Sequence, residues 1–224
     1  MLSLQAIPVG GRIQLSLQSY QEQPHLIESL IVRSAVAIEV EEIFKATGAM
    51  LEGHFLLSSG LHSPIYWEKF QVLQYPHYTE QLCQMIARHF QDQAVKLVAG
   101  PTTGGVLLAY EVARQLGVRS IYAEKEGGTR VFRRGLSISP GERTLVVDDV
   151  LTTGGSINEV INAVTTRGGK VIGVAVLVDR SQGKVDFGLP LFSCYQTSAP
   201  NYKPEDCPLC AAGVPLMEPG RGKG

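Results

Sequence analysis

The residues best able to do chemistry lie together in Val146-Val147-Asp148-Asp149-Val150-Leu151-Thr152-Thr153-Gly154-Gly155-Ser156. An apolar strand ending in Asp148 and Asp149 would deliver two carboxylates at its C-terminal end, where open α/β sheets bind ligands. A Thr-Thr-Gly-Gly-Ser turn then opens a helix, whose free N–H groups and positive dipole end favour a phosphate. Gly154 and Gly155 let the backbone approach an anion closely. The hydroxyls of Thr152, Thr153 and Ser156 add donors. Carboxylates beside an anion cradle suit a ring bearing both hydroxyls and a phosphate, as ribose 5-phosphate does. The bland alternative is an ordinary strand–turn–helix capped by Thr153, with solvated acids. Two other nucleotide motifs are missing: no G-x-x-x-x-G-K-[ST] occurs, and no G-x-G-x-x-G lies between a strand and a helix.

Three further groups could act with this segment. Ala99-Gly100-Pro101-Thr102-Thr103-Gly104-Gly105 also joins a strand to a helix, which offers a second phosphate site at Thr102, Thr103 and Gly104. A tight turn with close helix packing would explain the same glycines. Residues 122–135 set Lys125, Arg130, Arg133 and Arg134 around Gly127-Gly128. They form either a solvated hairpin or a mobile flap that closes positive charge over a leaving group and excludes water. Arg180 follows Asp179. Its guanidinium fork suits a ligand carboxylate, or it pairs with Asp179 at the surface. Cys207-Pro208-Leu209-Cys210 supplies only half of a four-cysteine zinc site. Structural thiols, a zinc site completed by other ligands or a dimer partner, and a redox pair all stay open.

These residues need a scaffold, and the pattern around them supplies one. A short amphipathic helix is expected over 38–46, stopped at Gly48. Short strands are expected at 54–57 and 64–68 around a Ser-Ser-Gly turn. Residues 77–90 put Leu82, Met85, Ile86 and Phe90 near helical spacing. A strand over 96–99 should break at Gly100-Pro101. Residues 104–116 are apolar nearly all round, which predicts a buried helix. Strands at 119–124, 144–150 and 170–178 enclose a helix over 154–167, where Ile157, Val160, Ile161 and Val164 recur at helical spacing. The Pro-rich tail from Pro200 should be irregular. Strands alternating with helices predict an α/β fold, a mostly parallel sheet flanked by helices.

Length and charge narrow the rest. With 224 residues and 44% hydrophobic content, one sizeable core is expected. Residues 1–35 should form an extension, part mobile and part helical, or stand ahead of the true start; 36–224 should be the working domain. Twenty basic against twenty-one acidic residues leave no electrostatic footprint for nucleic acid. No apolar run reaches the roughly 18–20 residues that span a bilayer, and no secretory signal pattern opens the chain. Four cysteines fit a reducing cytoplasm.

The Val146–Ser156 segment closely resembles the motif that binds phosphoribosyl pyrophosphate (PRPP) in type I phosphoribosyltransferases. From about residue 38 to 218 the chain resembles the orotate phosphoribosyltransferases, in a bacterial branch typified by thermophiles. The resemblance rests on residues 53–64, the Ala123-Glu124-Lys125-Glu126 loop start, Val178-Asp179-Arg180 and the tail 207–216. It implies the type I fold, with a core over about 70–180 and a small hood from 36–69 and the C-terminal segment. It implies Mg²⁺-dependent transfer of phosphoribose from PRPP to orotate, giving orotidine 5′-monophosphate and pyrophosphate. PRPP would be held by Asp148, Asp149, Leu151, Thr152, Thr153, Gly154, Gly155 and Ser156, with Thr102, Thr103, Gly104 and Lys125. Orotate would meet Ser59, Gly60, Tyr66, Trp67, Thr153 and Arg180. Lys125, Arg130, Asp148 and Asp149 would carry catalysis, in a homodimer with shared sites. Ser58 stands where many relatives have a cation, and Glu126-Gly127-Gly128 replaces a longer loop with a second Lys and a His. A purine or other base phosphoribosyltransferase and a non-catalytic PRPP sensor are the alternatives; the balanced charge and lack of a helix-turn-helix count against the sensor.

Overall fold

The structure is a computed structural model that describes residues 6–9, 12–15, 39–57, 59–197 and 200–219. Two units separate between Glu39 and Val40. The first contains an antiparallel hairpin of β1 (Ala6–Val9) and β2 (Arg12–Leu15). The helical part expected within 1–35 lies outside the described residues, as does Ser58.

Helix α1 spans 39–46, all but its first residue in the second unit, and ends as expected at Gly48, whose φ of 70° suits glycine. Next come β3 (Met50–Leu56) and β4 (His62–Trp67), an antiparallel pair. The C-terminal segment clasps this hairpin on both sides, through backbone bridges Phe55–Met217 and His62–Tyr202. α2 (Lys69–Leu73) and α3 (Pro76–Phe90) follow. Leu82, Ile86 and Phe90 fall on one face of α3 and are fully buried, as their spacing predicts.

The main sheet comprises β5 (Leu97–Pro101), β6 (Arg119–Glu126), β7 (Thr129–Val131), β8 (Arg143–Leu151), β9 (Lys170–Asp179) and β10 (Leu191–Gln196). Its order is β10-β9-β8-β5-β6-β7, parallel except for β7. Helices α4 (Gly104–Leu116) and α5 (Gly155–Thr166) make the crossovers. Central strands are covered on both faces, so Leu145, Val146, Val147, Val174, Ala175 and Val176 are all fully buried and their sequences read as continuous apolar runs.

Four expectations need correction. β5 continues through Gly100-Pro101. Its ladder to β8 stops at Ala99–Val146, so the missing N–H of Pro101 breaks no bond on that side. Helix α4 is not buried all round: Leu107 is 48% and Tyr110 65% exposed. Residues 191–196 form an edge strand that periodicity did not flag. The tail is not wholly irregular, since α6 (Pro208–Ala211) makes one helical turn.

Candidate active site

β5 and β8 lie side by side, and the chain winds outward from them in opposite directions, through α4 to β6 and through α5 to β9. The gap between their C-terminal ends is therefore a topological switch point, where such sheets bind ligands. Both glycine-rich loops open there. After β8, Thr152 and Thr153 are exposed. Gly154 has φ 77°, and a Cβ there would stand 2.9 Å from Val185, so the turn requires glycine. No side chain caps α5. The N–H groups of its first turn are left for an anion.

The loop after β5 is held as tightly. A Cβ on Gly100 would run into the Gly105 carbonyl, and one on Gly104 into the Asp149 carboxylate. The Thr102–Thr103 peptide is cis. Arg130 braces this loop: its Nη1 donates to the Thr102 carbonyl and hydroxyl, each at 3.2 Å, while its Nε stands 3.4 Å from Glu159. Arg130 is thus a strut between the loop and α5, not a free cation.

The paired acids lie beneath the turn, 5% and 3% exposed for Asp148 and Asp149. Asp148 accepts hydrogen bonds from the Ser156 hydroxyl at 2.7 Å and from the Asp149 N–H at 2.9 Å. Burial, then the charge of Asp149, pushes the Asp148 carboxyl up, and those two hydrogen bonds pull the other way. Asp149 accepts from the Val150 N–H at 2.7 Å and from Lys69 Nζ at 3.0 Å. Its Oδ2 is also 3.0 Å from Lys69 Nζ but too far off-angle for a hydrogen bond. Lys69 is a site cation that sequence reasoning missed; a single lysine at a helix start carries no signal.

Beside the turn lies a cleft of about 1160 Å³. Its walls include Leu57, Ser59 and Leu61 from the β3–β4 turn, Tyr66, Thr152, Thr153, and Asn201 of the tail. Arg180 reaches into it half-buried, and burial lowers its pKa. Arg180 makes no ion pair among the described residues. Asp179 accepts the Ser181 N–H at 2.7 Å instead of pairing with it.

The structure does not bring every expected residue to this cleft. Alternation along β4 sends Tyr66 to the cleft and Trp67 into the core, against Phe44 at 5.2 Å and Tyr195 at 5.6 Å. Gly60 sits at the exposed apex of the turn with φ 80°. Within the 122–135 segment, residues 124–131 form the β6–β7 hairpin around Gly127-Gly128. Arg133 pairs with Glu126 at 3.3 Å and Arg134 with Glu124 at 3.0 Å. Lys125 is exposed and has no such partner among the described residues.

Comparison with known proteins agrees with this geometry. Residues 71–188 match the family model of the phosphoribosyl transferase domain. The chain is 52% identical over 182 residues to the orotate phosphoribosyltransferase of Desulforamulus reducens, covering 81% of this chain and 95% of the relative. It is 51% identical over 185 residues to that of Pelotomaculum thermopropionicum, covering 83% and 97%. The crystal structure of orotate phosphoribosyltransferase from Aeropyrum pernix superposes with a TM-score of 0.58 at 29% identity, covering 69% of this chain and 92% of that one. With two glycine-rich loops at one switch point and relatives this similar over most of its length, the chain belongs to the phosphoribosyltransferase family, in the orotate phosphoribosyltransferase branch.

Proposed function

We propose that the protein transfers phosphoribose from PRPP to N1 of orotate, releasing pyrophosphate and forming orotidine 5′-monophosphate for pyrimidine biosynthesis. The observation that carries this reading is the half-buried Arg180, without an ion pair among the described residues, in the same cleft as the turn at Thr152 and Thr153. A guanidinium without an ion pair among the described residues suits an anionic ligand, and its fork matches the orotate carboxylate.

The ribose 5-phosphate would sit on the α5 N-terminus, held by the backbone of 151–155 and by the Thr152, Thr153 and Ser156 hydroxyls. Asp148 and Asp149 would take the ribose hydroxyls by exchanging their bonds to Ser156 and Lys69. Pyrophosphate would lie against Thr102, Thr103 and Gly104. Departure of pyrophosphate breaks the C1–O bond, leaving positive charge on the ribose ring and negative charge on the leaving group. Lys125 would reach that group, and Arg130 would hold the loop that receives it. Orotate is already anionic near neutral pH, so no strong general base is required.

The family implies Mg²⁺, and Asp149 fits it. Its Oδ2 is a buried carboxylate oxygen without a hydrogen bond among the described residues, 3.0 Å from the Lys69 ammonium that a cation would displace, beside the loop assigned to pyrophosphate. One carboxylate suits an ion that arrives mainly on substrate oxygens and waters. When bound, Mg²⁺ would neutralise charge on the pyrophosphate.

A homodimer is part of the same reading. Leu107 and Tyr110 of α4 and Phe70 of the neighbouring α2 are exposed, and a second copy would cover them. So is a cytoplasmic setting; no helix among the described residues is long and apolar enough to cross a membrane.

A turnover assay reading released pyrophosphate, with orotate beside uracil, hypoxanthine and adenine, tests the assignment. Orotate should be used with the highest kcat/KM. Preference for a purine or uracil would overturn the base assignment, and no turnover with any base would leave a PRPP sensor.

A further inference from the structure

Away from the cleft, four metal-ligating side chains meet at one point. His54 opens the buried stretch His54-Phe55 of β3, His62 opens β4, Cys207 immediately precedes α6 and Cys210 lies within its single turn. His54, His62 and Cys207 are buried, and Cys210 is exposed. Their ligand atoms all lie within 4.8 Å of one another. His54 Nε2 is 3.5 Å from Cys207 Sγ, 3.7 Å from Cys210 Sγ and 2.9 Å from His62 Nδ1, and His62 Nδ1 is 3.3 Å from Cys210 Sγ. Zn–N bonds of about 2.0–2.1 Å and Zn–S bonds of about 2.3 Å put tetrahedral ligand atoms roughly 3.3–3.8 Å apart. The cluster brackets those edges.

The geometry points to a closed Cys₂His₂ zinc site formed by His54, His62, Cys207 and Cys210. A second observation sets the ligand chemistry. His54 Nδ1 lies 2.8 Å from the Val214 carbonyl, which can only accept, so Nδ1 carries the proton and Nε2 turns a bare lone pair into the cluster. Metal-bound histidines are oriented by this kind of outer bond. Without a metal, the 2.9 Å contact between His54 Nε2 and His62 Nδ1 would take its proton from His62, and the two thiols would add only weak S–H donors. Four protein ligands leave no open position, which makes the site structural and not catalytic.

Its place in the fold gives it a task. The ligands come from segments 153 residues apart in sequence. Zinc would pin the β3–β4 hairpin to the C-terminal segment, reinforcing the backbone bonds from Leu56 N–H to Met217, from Met217 N–H to His54, and between His62 and Tyr202. The turn between the two histidines carries Leu57, Ser59 and Leu61, and the pinned tail carries Asn201, all walls of the cleft. The metal would hold the lip of the base site.

The test uses the full chain without a polyhistidine tag, purified under reducing conditions without chelator. Elemental analysis should find one zinc per chain. Apo-protein titrated with Co²⁺ should show the visible bands of tetrahedral cobalt and a thiolate charge-transfer band. Cys210→Ser changes an exposed position, so it should fold, yet weaken zinc affinity by roughly 10-fold or more, since even the outer partners of a ligand are worth about 10–100-fold. His77→Ala, an exposed histidine outside the cluster, should retain zinc. Removing zinc from wild type should lower its melting temperature, with little effect on Cys210→Ser. Zinc-free wild type with no tetrahedral cobalt spectrum, zinc held equally by Cys210→Ser, or a Cys207–Cys210 disulfide in the purified chain would each overturn the site.

Discussion

Arg180 stands at the end of β9 with its backbone N–H fixed to the Leu151 carbonyl at 2.8 Å, so its position is tied to the strand that carries the acids. Replacing it with Gln should lower kcat/KM for orotate by about 10–100-fold, the worth of a hydrogen bond to a charged group, and leave PRPP binding nearly unchanged. Lys should rescue poorly, because an ammonium lacks the fork; initial-rate kinetics on both substrates would show it. Asp148 makes a prediction about pH. Its carboxyl is pushed up to about 6 from an ordinary 3.8, mainly by burial. The folded state then holds the proton more tightly than the unfolded chain, so this contribution is greatest below the unfolded pKa and is lost as pH rises through the folded one. Between about pH 4 and 6, Asp148→Asn should lose less stability than wild type, by at most about 3 kcal/mol for a shift of this size. Parallel denaturant titrations would measure the difference, and identical pH dependence would remove the shift. At this scale the sequence spoke clearly where residues form an ordered string, as 146–156 do. It was silent on Lys69, which meets Asp149 only through the fold, and it pointed Trp67 the wrong way because a Tyr-Trp pair does not say which ring faces inward.

Elements were legible where apolar residues recur in an unbroken strand or helix pattern. β8, β9, α3 and α5 fall within a residue or two of expectation. β10 escaped because Ser193 and Gln196 dilute a half-buried edge strand that follows Gly188 and Pro190. α4 was misjudged because periodicity registers hydrophobic residues without saying what covers them. Residues 124–131 form a paired hairpin, and Arg133 and Arg134 just after it meet its Glu126 and Glu124. The β5–α4 junction depends on close backbone approach, which yields a sharp expectation. Gly100→Ala would drive a Cβ into the Gly105 carbonyl and force the start of α4 away from β5. Overpacking of this kind costs about 1–3 kcal/mol. Thermal melting should fall accordingly, and because Thr102 and Thr103 move with the junction, KM for PRPP should rise. A variant as stable and active as wild type would show that the loop yields freely.

At the scale of the whole molecule, the structure leaves two features that one chain does not satisfy. Leu107, Tyr110 and Phe70 face solvent, and Lys125 has no ion pair among the described residues while Arg133 and Arg134 pair with Glu126 and Glu124. A homodimer would cover the first, and a pyrophosphate bound by the neighbouring subunit would answer the second. If the hairpin serves the partner's site, two inactive variants should complement each other. One carries Asp148→Asn and Asp149→Asn with the hairpin intact. The other keeps the acids and carries Lys125→Ala, Arg133→Ala and Arg134→Ala; Arg130 is spared because it braces the Thr102 loop. Random subunit exchange puts half of the dimers in the mixed form, and each has one site with intact acids and an intact hairpin. Activity should therefore return to roughly a quarter of wild type. If exchange is verified by mass and activity stays at the level of the separate variants, the hairpin acts on its own subunit and the shared-site arrangement fails.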